Sequence, residues 1–327
     1  MDVLRTDAEG LAPPAGLGDL LYPLRESDFL GSRLGTAPVV VEGPEGRFAG
    51  VFGWDQLNDI LAAARVDLNR IHLVRAAENG SLMSCAEPVP QLAPRGRPLR
   101  IRPDHLHDAL SLGATLVIDG IEELHAPLRT LVTGVENSLR SLVQANLYAN
   151  LGGAEQGFDT HWDDHDVLIM QVGGAKRWDI HPPTQDAPVG VLSRPPRPSA
   201  ESVCWSGELT DGDVLYLPRG WWHTVRAVDG QPSVHLTLGT RLPSAADLLR
   251  QLLVHLAVED AVVRQDLPRF AGDESAAQWY GRLRRVLTDA VHEPGLLEKL
   301  AADLDGGAPV RPRFGLPHRS RERDATP

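Results

Sequence analysis

The feature that most constrains the fold is a series of eight short, largely apolar segments between residues 145 and 240, separated by glycine and proline. Segments of this length that alternate with turn residues are typical of β-strands in an all-β domain. The predicted strands are Ala145–Ala149, Gly157–Trp162, Val167–Val172, Arg177–His181, Ser202–Glu208, Asp213–Leu217, Thr224–Ala227 and Ser233–Thr240. Eight strands joined by turns predict a jelly roll, in which two sheets close around an interior.

The segments on either side of this region have helical periodicity. Before it, the apolar spacing predicts helices at residues 28–34, 55–64, 103–112 and 125–142, and short strands at 39–41 and 114–118. After it, Ser244 and Asp247 resemble a capping box, and two further helices are expected at about 275–290 and from Pro294. The predicted domains are a flexible lead (1–20), a mainly β domain with N-terminal helices (21–242), a helical segment (243–305) and a flexible basic tail (306–327).

Composition is that of an ordinary globular protein. The 327 residues are 42% hydrophobic and 23% charged, which is ample for a core. The formal net charge of -12 argues against general nucleic-acid binding, and no apolar run approaches the length of a membrane span. Residues 1–7 lack the pattern of a secretory signal, and Cys85 and Cys204 form no disulfide framework. We therefore expect a cytoplasmic protein without a membrane or nucleic-acid partner.

His161, Asp163 and His223 form the pattern with the most chemical content. Side chains two residues apart in a strand point to the same face, about 7 Å apart at the backbone, so His161 and Asp163 can bind one ion. Asp163 and His223 are 60 positions apart, and the residues before His223 predict a turn, a short strand and a second turn. Two imidazoles and one carboxylate fit the facial triad that holds non-haem Fe(II) with open coordination positions. A surface pair of His161 and Asp163 is the alternative.

Longer motifs surround these three positions. They are Asn146-Leu147-Tyr148, the run from Gln156 through His161-Trp162-Asp163 to Gly173-Gly174-Ala175-Lys176-Arg177-Trp178, and Gly212-Asp213-Val214-Leu215-Tyr216-Leu217-Pro218-Arg219-Gly220-Trp221-Trp222-His223. In combination they resemble the JmjC-type 2-oxoglutarate oxygenases, specifically the ribosomal oxygenase group that hydroxylates ribosomal proteins. The resemblance extends from about Asp28 to Thr240, and it implies the double-stranded β-helix (cupin) form of the jelly roll.

The resemblance also implies cofactors and their contacts. The expected groups are Fe(II), 2-oxoglutarate as cosubstrate and O2, with Lys176 binding the distal carboxylate of 2-oxoglutarate and Tyr148 and Asn146 as hydrogen-bonding neighbours. His235 and Thr237, on the last predicted strand, are further candidates for contact with the cosubstrate. A satisfied core or surface histidine is an equally good interpretation of His235. A solvated lysine beside the glycine pair is the alternative for Lys176.

Three further residues lie beside the predicted ligands and cosubstrate contacts. Asp164 and His165 do not have the phase of the predicted ligands, so we expect them to orient ligands or to face solvent. Gly239 stands where members of the family can offer a serine near the cosubstrate, and that contact is therefore not expected here.

Three functions remain open at this point. The favoured one is Fe(II)- and 2-oxoglutarate-dependent hydroxylation of a side chain of a protein or peptide, bound near the loops Pro88–Pro98 and Pro182–Pro198, the latter with Arg194 and Arg197. The second keeps this chemistry but acts on a small molecule or a biosynthetic peptide intermediate. The third is a non-catalytic jelly-roll scaffold.

The region after the barrel bears on the oligomeric state. Ribosomal oxygenases carry a helical dimerisation region followed by a winged-helix domain, and about eighty residues follow the barrel here. These can supply the helices but are short for a second domain as well. The apolar stripe of Leu248, Leu249, Leu252, Leu253 and Leu256 can form a dimer interface or pack on the chain's own barrel. The resemblance favours a homodimer.

Overall fold

The eight predicted strands are all present in the computed structural model, which describes residues 1–6, 12–62, 70–75, 78–80, 82–88, 99–152, 158–228, 230–306 and 311. Numbered along the chain, the strands are β1 (Asp2–Arg5), β2 (Val39–Glu42), β3 (Ile71–Arg75), β4 (Glu78–Gly80), β5 (Ala86–Pro88), β6 (Leu99–Ile101), β7 (Thr115–Ile118), β8 (Val143–Asn150), β9 (Phe158–His161), β10 (Asp166–Gly173), β11 (Ala175–His181), β12 (Trp205–Thr210), β13 (Val214–Leu217), β14 (Trp222–Ala227) and β15 (Ser233–Thr240). The helices are α1 (Leu17–Leu21), α2 (Glu26–Ser32), α3 (Trp54–Ala62), α4 (Pro103–Ser111), α5 (Ala126–Leu139), α6 (Ala245–Glu259), α7 (Ala261–Arg264), α8 (Asp273–His292) and α9 (Leu296–Gly306).

The strands from β8 to β15 divide equally between two sheets. A nine-stranded sheet has the order β1-β2-β13-β10-β15-β8-β7-β3-β4, and a four-stranded sheet has the order β12-β11-β14-β9. Apolar side chains from both sheets pack into one core cluster, namely Val40, Val167, Ile169, Trp178, Ile180, Leu209, Leu215, Leu217 and Val225. The predicted jelly roll is therefore confirmed.

The turn between β10 and β11 requires glycine. Gly174 has a φ of 64°, and a Cβ at this position would lie 1.8 Å from the carbonyl oxygen of Pro232. No other residue type fits such a contact without moving the backbone. The hairpin connects the larger sheet to the smaller one, and it sets the register of β11 and thus of Lys176.

Two buried carboxylates fix the loops around β13. Asp213 accepts hydrogen bonds from the backbone N–H of Gly43 (2.9 Å) and from the N–H and hydroxyl of Thr210 (2.7 and 3.0 Å). Asp166 accepts a hydrogen bond from the hydroxyl of Tyr216 (2.5 Å) and another from the N–H of Arg219 (2.8 Å). The two hydrogen bonds of Asp166 hold the turn that leads into β14, the strand that contains His223.

The N-terminal lead differs from the prediction. Residues Asp2–Arg5 form a parallel edge strand beside Val39–Glu42, and Leu17–Leu21 is a helix with three buried leucines. No sequence pattern indicates this strand, because an edge strand is held by backbone hydrogen bonds to a neighbour that is remote in sequence. Of the loop predicted at Pro88–Pro98, Pro88 ends β5 and residues 89–98 lie outside the described residues, as does most of the predicted tail.

The chain divides into two compact units, Met1–Arg241 and Leu242–Pro327. The second is helical, and Ser244 and Asp247 form the expected capping box at the start of α6. Its core consists of Leu252, Leu256, Ala290, Leu296 and Leu300. None of the described helices is both long and apolar enough to cross a membrane.

Candidate active site

The three predicted metal ligands come together at one end of the smaller sheet. His161 ends β9 and His223 is the second residue of β14, and the two residues are direct partners in the antiparallel pairing of these strands. Their ring centroids lie 4.2 Å apart, and Asp163 Oδ2 lies 3.6 Å from His223 Nε2. One ligand atom from each residue lies within 4.8 Å of the other two. Two imidazoles and one carboxylate are thus within reach of a single ion.

Asp163 reaches this cluster by a route that was not predicted. We expected one strand to run through Trp162 and to bring Asp163 onto the face of His161 by alternation, but β9 ends at His161. Asp163 lies in the connection to β10, where its carbonyl oxygen accepts a hydrogen bond from the N–H of Gly220 (2.9 Å). A contact with the turn before β14 therefore holds the backbone of Asp163, in place of strand alternation.

Backbone carbonyl groups orient both imidazoles. His161 Nδ1 lies 2.7 Å from the carbonyl oxygen of Asp159, and His223 Nδ1 lies 3.2 Å from that of Trp221. A carbonyl oxygen only accepts, so each Nδ1 carries the proton and each Nε2 carries the lone pair. This arrangement is typical of metal-binding histidines, whose second nitrogen donates to a carbonyl or carboxylate.

Burial keeps His223 in the form that binds metal. Loss of solvent around the imidazole lowers the pKa of His223 well below its ordinary value, and the adjacent His161 lowers this pKa further. His223 is therefore neutral at physiological pH. Protons do not compete with a metal ion for its Nε2.

A cavity of about 120 Å³ extends from the three ligands into the space between the sheets. His161, Asp163 and His223 lie at one end, which we call the metal end. The other predicted site residues also line the cavity, and Val167, Ile169 and Val225 form its apolar walls. These site residues are Asn146, Tyr148, Lys176, His235 and Thr237. The strand register separates the two ends, since Lys176 is opposite Ala227 on β14, four residues beyond His223. Four residues of strand correspond to about 13 Å.

Lys176 lies at the far end of this cavity and is buried, with 3% of its surface exposed. Burial lowers the pKa of Lys176 to about 8. Among the described residues no carboxylate forms an ion pair with its ammonium group. The alternative of a solvated hairpin lysine is wrong, because the side chain points between the sheets.

Polar atoms without partners surround this lysine. The Nδ1 of His235 and the indole Nε1 of Trp178 are both buried and have no hydrogen-bond partner among the described residues. The His235 ring stacks on Tyr148, with centroids 4.9 Å apart and planes 6° apart. Burial, and then the charge of Lys176, lower the pKa of His235 well below its ordinary value, so this ring is neutral. Burial raises the pKa of Tyr148, which keeps its hydroxyl protonated.

The remaining predicted contacts also line the cavity. Asn146 is paired with Thr237 across β8 and β15, and its side-chain oxygen accepts hydrogen bonds from Gly120 N (3.2 Å) and Gln144 Nε2 (2.8 Å). Sequence reasoning missed Thr115, a buried polar residue of β7 that lines the same space. The only indication of Thr115 in the sequence is its hydroxyl group at the start of an otherwise apolar strand.

The comparison with protein families identifies this fold. Residues 124–248 match the family described as the JmjC domain, and this range contains the three clustered ligands and Lys176. This match spans 125 of the 327 residues. The resemblance seen in the sequence motifs is thereby confirmed.

The curated relatives of this chain are longer proteins. The bifunctional lysine-specific demethylase and histidyl-hydroxylase NO66 of Drosophila pseudoobscura pseudoobscura is 26% identical over 293 residues, which are 87% of this chain and 30% of the fly protein. Ribosomal oxygenase 1 of Rattus norvegicus is 32% identical over 155 residues, 44% of this chain and 25% of the rat protein. The chain thus spans less than half of the length of these relatives.

Solved structures share the fold of this chain. YcfD, a ribosomal oxygenase from Escherichia coli in complex with cobalt and 2-oxoglutarate, superposes with a TM-score of 0.54 at 17% identity, covering 86% of this chain and 71% of that chain. The complex of YcfD with cobalt and succinic acid gives a TM-score of 0.51 at 16% identity and the same coverage.

The residues that line the cavity fit a divalent metal and a dicarboxylate. The donor set of two imidazoles and a carboxylate suits a first-row transition ion such as Fe(II). At the far end, a buried amine without a counter-ion and two unpartnered buried nitrogen atoms, one on His235 and one on Trp178, lie where an anionic group would satisfy them.

Proposed function

We propose that the protein is an Fe(II)- and 2-oxoglutarate-dependent dioxygenase that hydroxylates a side chain of a protein or peptide. The observation that carries this proposal is one cavity with a His-Asp-His cluster at one end and an uncompensated buried lysine at the other. A structural jelly roll has no use for either feature, since burying a charge without a partner is costly.

His161, Asp163 and His223 are the proposed metal ligands. Three protein ligands leave open positions for the 2-oxo acid group of the cosubstrate and for O2. When bound, Fe(II) supplies the coupled oxidation in which 2-oxoglutarate and O2 give succinate and CO2, and one oxygen atom enters a C–H bond of the substrate. The protein contributes the two Nε2 lone pairs, the carboxylate charge and the carbonyl groups that keep both rings in position.

Lys176 is the proposed anchor for the distal carboxylate of 2-oxoglutarate. Its ammonium group would form a charge-assisted hydrogen bond, which is stronger than a neutral one, in a site from which water is excluded. The Tyr148 hydroxyl is a second donor, and His235 offers its unpartnered nitrogen. Thr237 and Asn146 line the space between this carboxylate and the metal.

A polypeptide substrate is supported by the names of the relatives. A histidyl-hydroxylase and ribosomal oxygenases are among them, although this chain spans only part of each. The metal end of the cavity is also accessible, because the Asp163 side chain is 31% exposed, compared with 6% for His223. Arg194 and Arg197 in the segment 182–198 are exposed and do not line the cavity, so their proposed role is contact with substrate outside it.

A succinate assay tests this function directly. Protein, Fe(II), ascorbate and 2-oxoglutarate are incubated with ribosomal proteins, with peptides encoded near this gene, and with neighbouring pathway metabolites. We expect succinate release and a polypeptide product heavier by one oxygen atom. A mass increase found only on a free metabolite would favour the small-molecule alternative, whereas binding of metal without any succinate would favour the scaffold.

We also propose that the protein is a cytoplasmic homodimer formed through the helical segment. The two cysteines, Cys85 and Cys204, are both free, which suits a reducing compartment. On α6, Leu249 and Leu253 remain 54% and 52% exposed even though Leu252 and Leu256 are buried. Exposed leucines one turn apart on a helix favour a partner surface.

Solution scattering tests the dimer. We expect a mass of twice the 35.5 kDa of the chain across a wide range of concentration. Replacement of Leu249 and Leu253 by glutamate should give a monomer, because two carboxylates cannot be buried in an apolar interface. A monomeric mass of the unaltered protein at high concentration would contradict the proposal.

A further inference from the structure

The end of the cavity that holds Lys176 contains polar groups that the proposed function satisfies only while a dicarboxylate is bound. Lys176 is 3% exposed and forms no ion pair within the part of the chain that the structure describes. The indole N–H of Trp178 is buried and donates to no described residue. A buried donor of this kind is costly to leave unpaired, so it needs an acceptor in the protein without cosubstrate as well.

Trp178 lies beside Lys176 on one face of β11. The two residues are two positions apart in the strand, so their side chains point the same way, into the cavity that both of them line. His235 joins them from β15, because its ring centroid lies 6.0 Å from that of Trp178 and the charge of Lys176 acts on its imidazole. An acceptor group attached to the end of the Lys176 side chain would therefore lie among these rings, next to the indole N–H.

Burial favours the uncharged, nucleophilic form of the Lys176 amine. An ammonium group that is buried without a carboxylate loses stability relative to the neutral amine, and burial lowers the pKa of Lys176 to about 8. The cavity of about 120 Å³ has room for several molecules of the size of water. The site thus offers a nucleophilic nitrogen, space for a small electrophile, and an N–H donor where negative charge would develop.

We propose that Lys176 binds carbon dioxide covalently, as a carbamate that accepts a hydrogen bond from Trp178 Nε1. The lone pair of Nζ forms a bond to the carbon of CO2, one C–O π bond breaks with its electron pair moving to that oxygen, and one amine proton leaves to water. The product is –NH–COO⁻, and no oxidant, reductant or metal is required. The new charge is spread over two oxygens and gains a charge-assisted hydrogen bond.

The carbamate and 2-oxoglutarate should exclude each other. Both place a carboxylate beside the indole N–H, and a lysine that has become an anionic carbamate is no longer a cation for the distal carboxylate. Carbon dioxide would therefore compete with the cosubstrate for one lysine. The carbamate itself goes beyond the proposed function, since it forms without metal and without turnover, whereas this competition rests on that function.

NMR spectroscopy of the full chain tests the carbamate directly. The protein is labelled with ¹⁵N at the lysine side-chain nitrogen and kept above pH 8 without metal or 2-oxoglutarate, and ¹³C-bicarbonate is added as the source of CO2. One-bond coupling between ¹³C and ¹⁵N identifies a lysine carbamate. Lys299, which is exposed on α9, is the internal control. We expect Lys176 to reach half occupancy at a CO2 concentration at least about 10-fold lower than Lys299, the effect of one hydrogen bond to a charged group.

Three variants assign the signal and test its surroundings. Lys299→Ala should leave the carbamate of Lys176 as the one remaining signal. Trp178→Phe keeps an aromatic ring but deletes the N–H, so it should raise the CO2 concentration for half occupancy about 10-fold or more. Trp279→Phe is the matched control, because this buried indole donates to Gln265 (3.1 Å) and does not line the cavity. It should leave the occupancy of Lys176 unchanged.

The comparison of the two lysines needs no variant in the cavity, so it decides the proposal even if Trp178→Phe does not fold. Equal occupancy of Lys176 and Lys299, or no signal from Lys176 at saturating CO2, would overturn it. An unchanged affinity for CO2 in a folded Trp178→Phe protein would do the same.

Addition of Zn(II) and 2-oxoglutarate separates this inference from the proposed function. We expect the carbamate signal to disappear as the cosubstrate binds. A carbamate that persisted would support the modification of Lys176 but contradict its role as the anchor of 2-oxoglutarate. Succinate release by the Fe(II) protein together with an absent carbamate would leave the proposed function standing and refute only the carbamate.

Discussion

Replacement of Asp163 by alanine is expected to abolish metal binding. The carboxylate supplies the only negative charge in the ligand set. Without it, only two imidazoles, with ring centroids 4.2 Å apart, would remain to bind the ion. Loss of a residue that merely supports a ligand commonly costs 10- to 100-fold in affinity, so loss of a ligand should cost more than about 100-fold. Metal analysis after dialysis should find far less than one equivalent, and succinate release should stop.

The matched control for this variant is Asp108→Ala. Asp108 is exposed on α4 and does not line the cavity, so the variant removes the same charge from elsewhere on the molecule. It should retain one equivalent of metal. If Asp163→Ala also retained a full equivalent at the same site, the proposed ligand set would be wrong.

Removal of the amine at Lys176 should instead weaken the binding of 2-oxoglutarate. Lys176→Met keeps the length and apolar volume of the side chain but deletes the charge. A hydrogen bond to a charged group contributes about 1.5–3 kcal/mol, which corresponds to an increase of roughly 10- to 150-fold in the dissociation constant. Metal content should remain at one equivalent, because Lys176 lies about 13 Å of strand away from His223. Calorimetry with the Zn(II) protein measures this constant without turnover.

The affinity for 2-oxoglutarate should also depend on pH. Burial lowers the pKa of Lys176 to about 8, so the side chain is an ammonium group below pH 8 and increasingly a neutral amine above it. Affinity should therefore be highest below pH 8 and should fall as pH rises. The bound dicarboxylate favours the charged form, so the midpoint of the fall should lie above 8. Lys176→Met should lose this dependence.

Lys299→Ala is the control for both measurements. Lys299, on α9, is the only other lysine of the chain, and it is exposed. Its removal should change neither the affinity for 2-oxoglutarate nor the pH dependence. An unchanged affinity in Lys176→Met would mean that another group anchors the distal carboxylate.

The eight strands of the jelly roll were predictable because each has its own local signal. β10 is buried at all eight positions, and its sequence is accordingly an almost continuous apolar run between two turn signals. β11 alternates more, and Gly174 marks the turn before it. Such patterns depend only on neighbouring residues, so the sequence contains them in full.

Features that depend on remote contacts were not predictable in the same way. The backbone carbonyl of Asp163 accepts a hydrogen bond from Gly220, and this contact positions the residue, whereas the sequence suggested strand alternation. The buried state of Lys176 depends on which sheet covers β11. The contact between His165 and Gly239 joins residues that are 74 positions apart, and no sequence pattern indicated that the two residues touch. In each case the identity of the residue was visible in the sequence and its partner was not.

The scarcity of lysine has a practical consequence for the chemical modification of amines in this protein. Of the 32 basic residues, 30 are arginine, so amine-directed acylating reagents can modify only Lys176, Lys299 and the N-terminus. At pH 8 about half of the Lys176 side chains would be free amines, which is the reactive form. Only a reagent small enough to enter the cavity can reach them, and a dicarboxylate in the cavity would exclude it. A peptide mass map therefore distinguishes an occupied cavity from an open one through a single acylated residue.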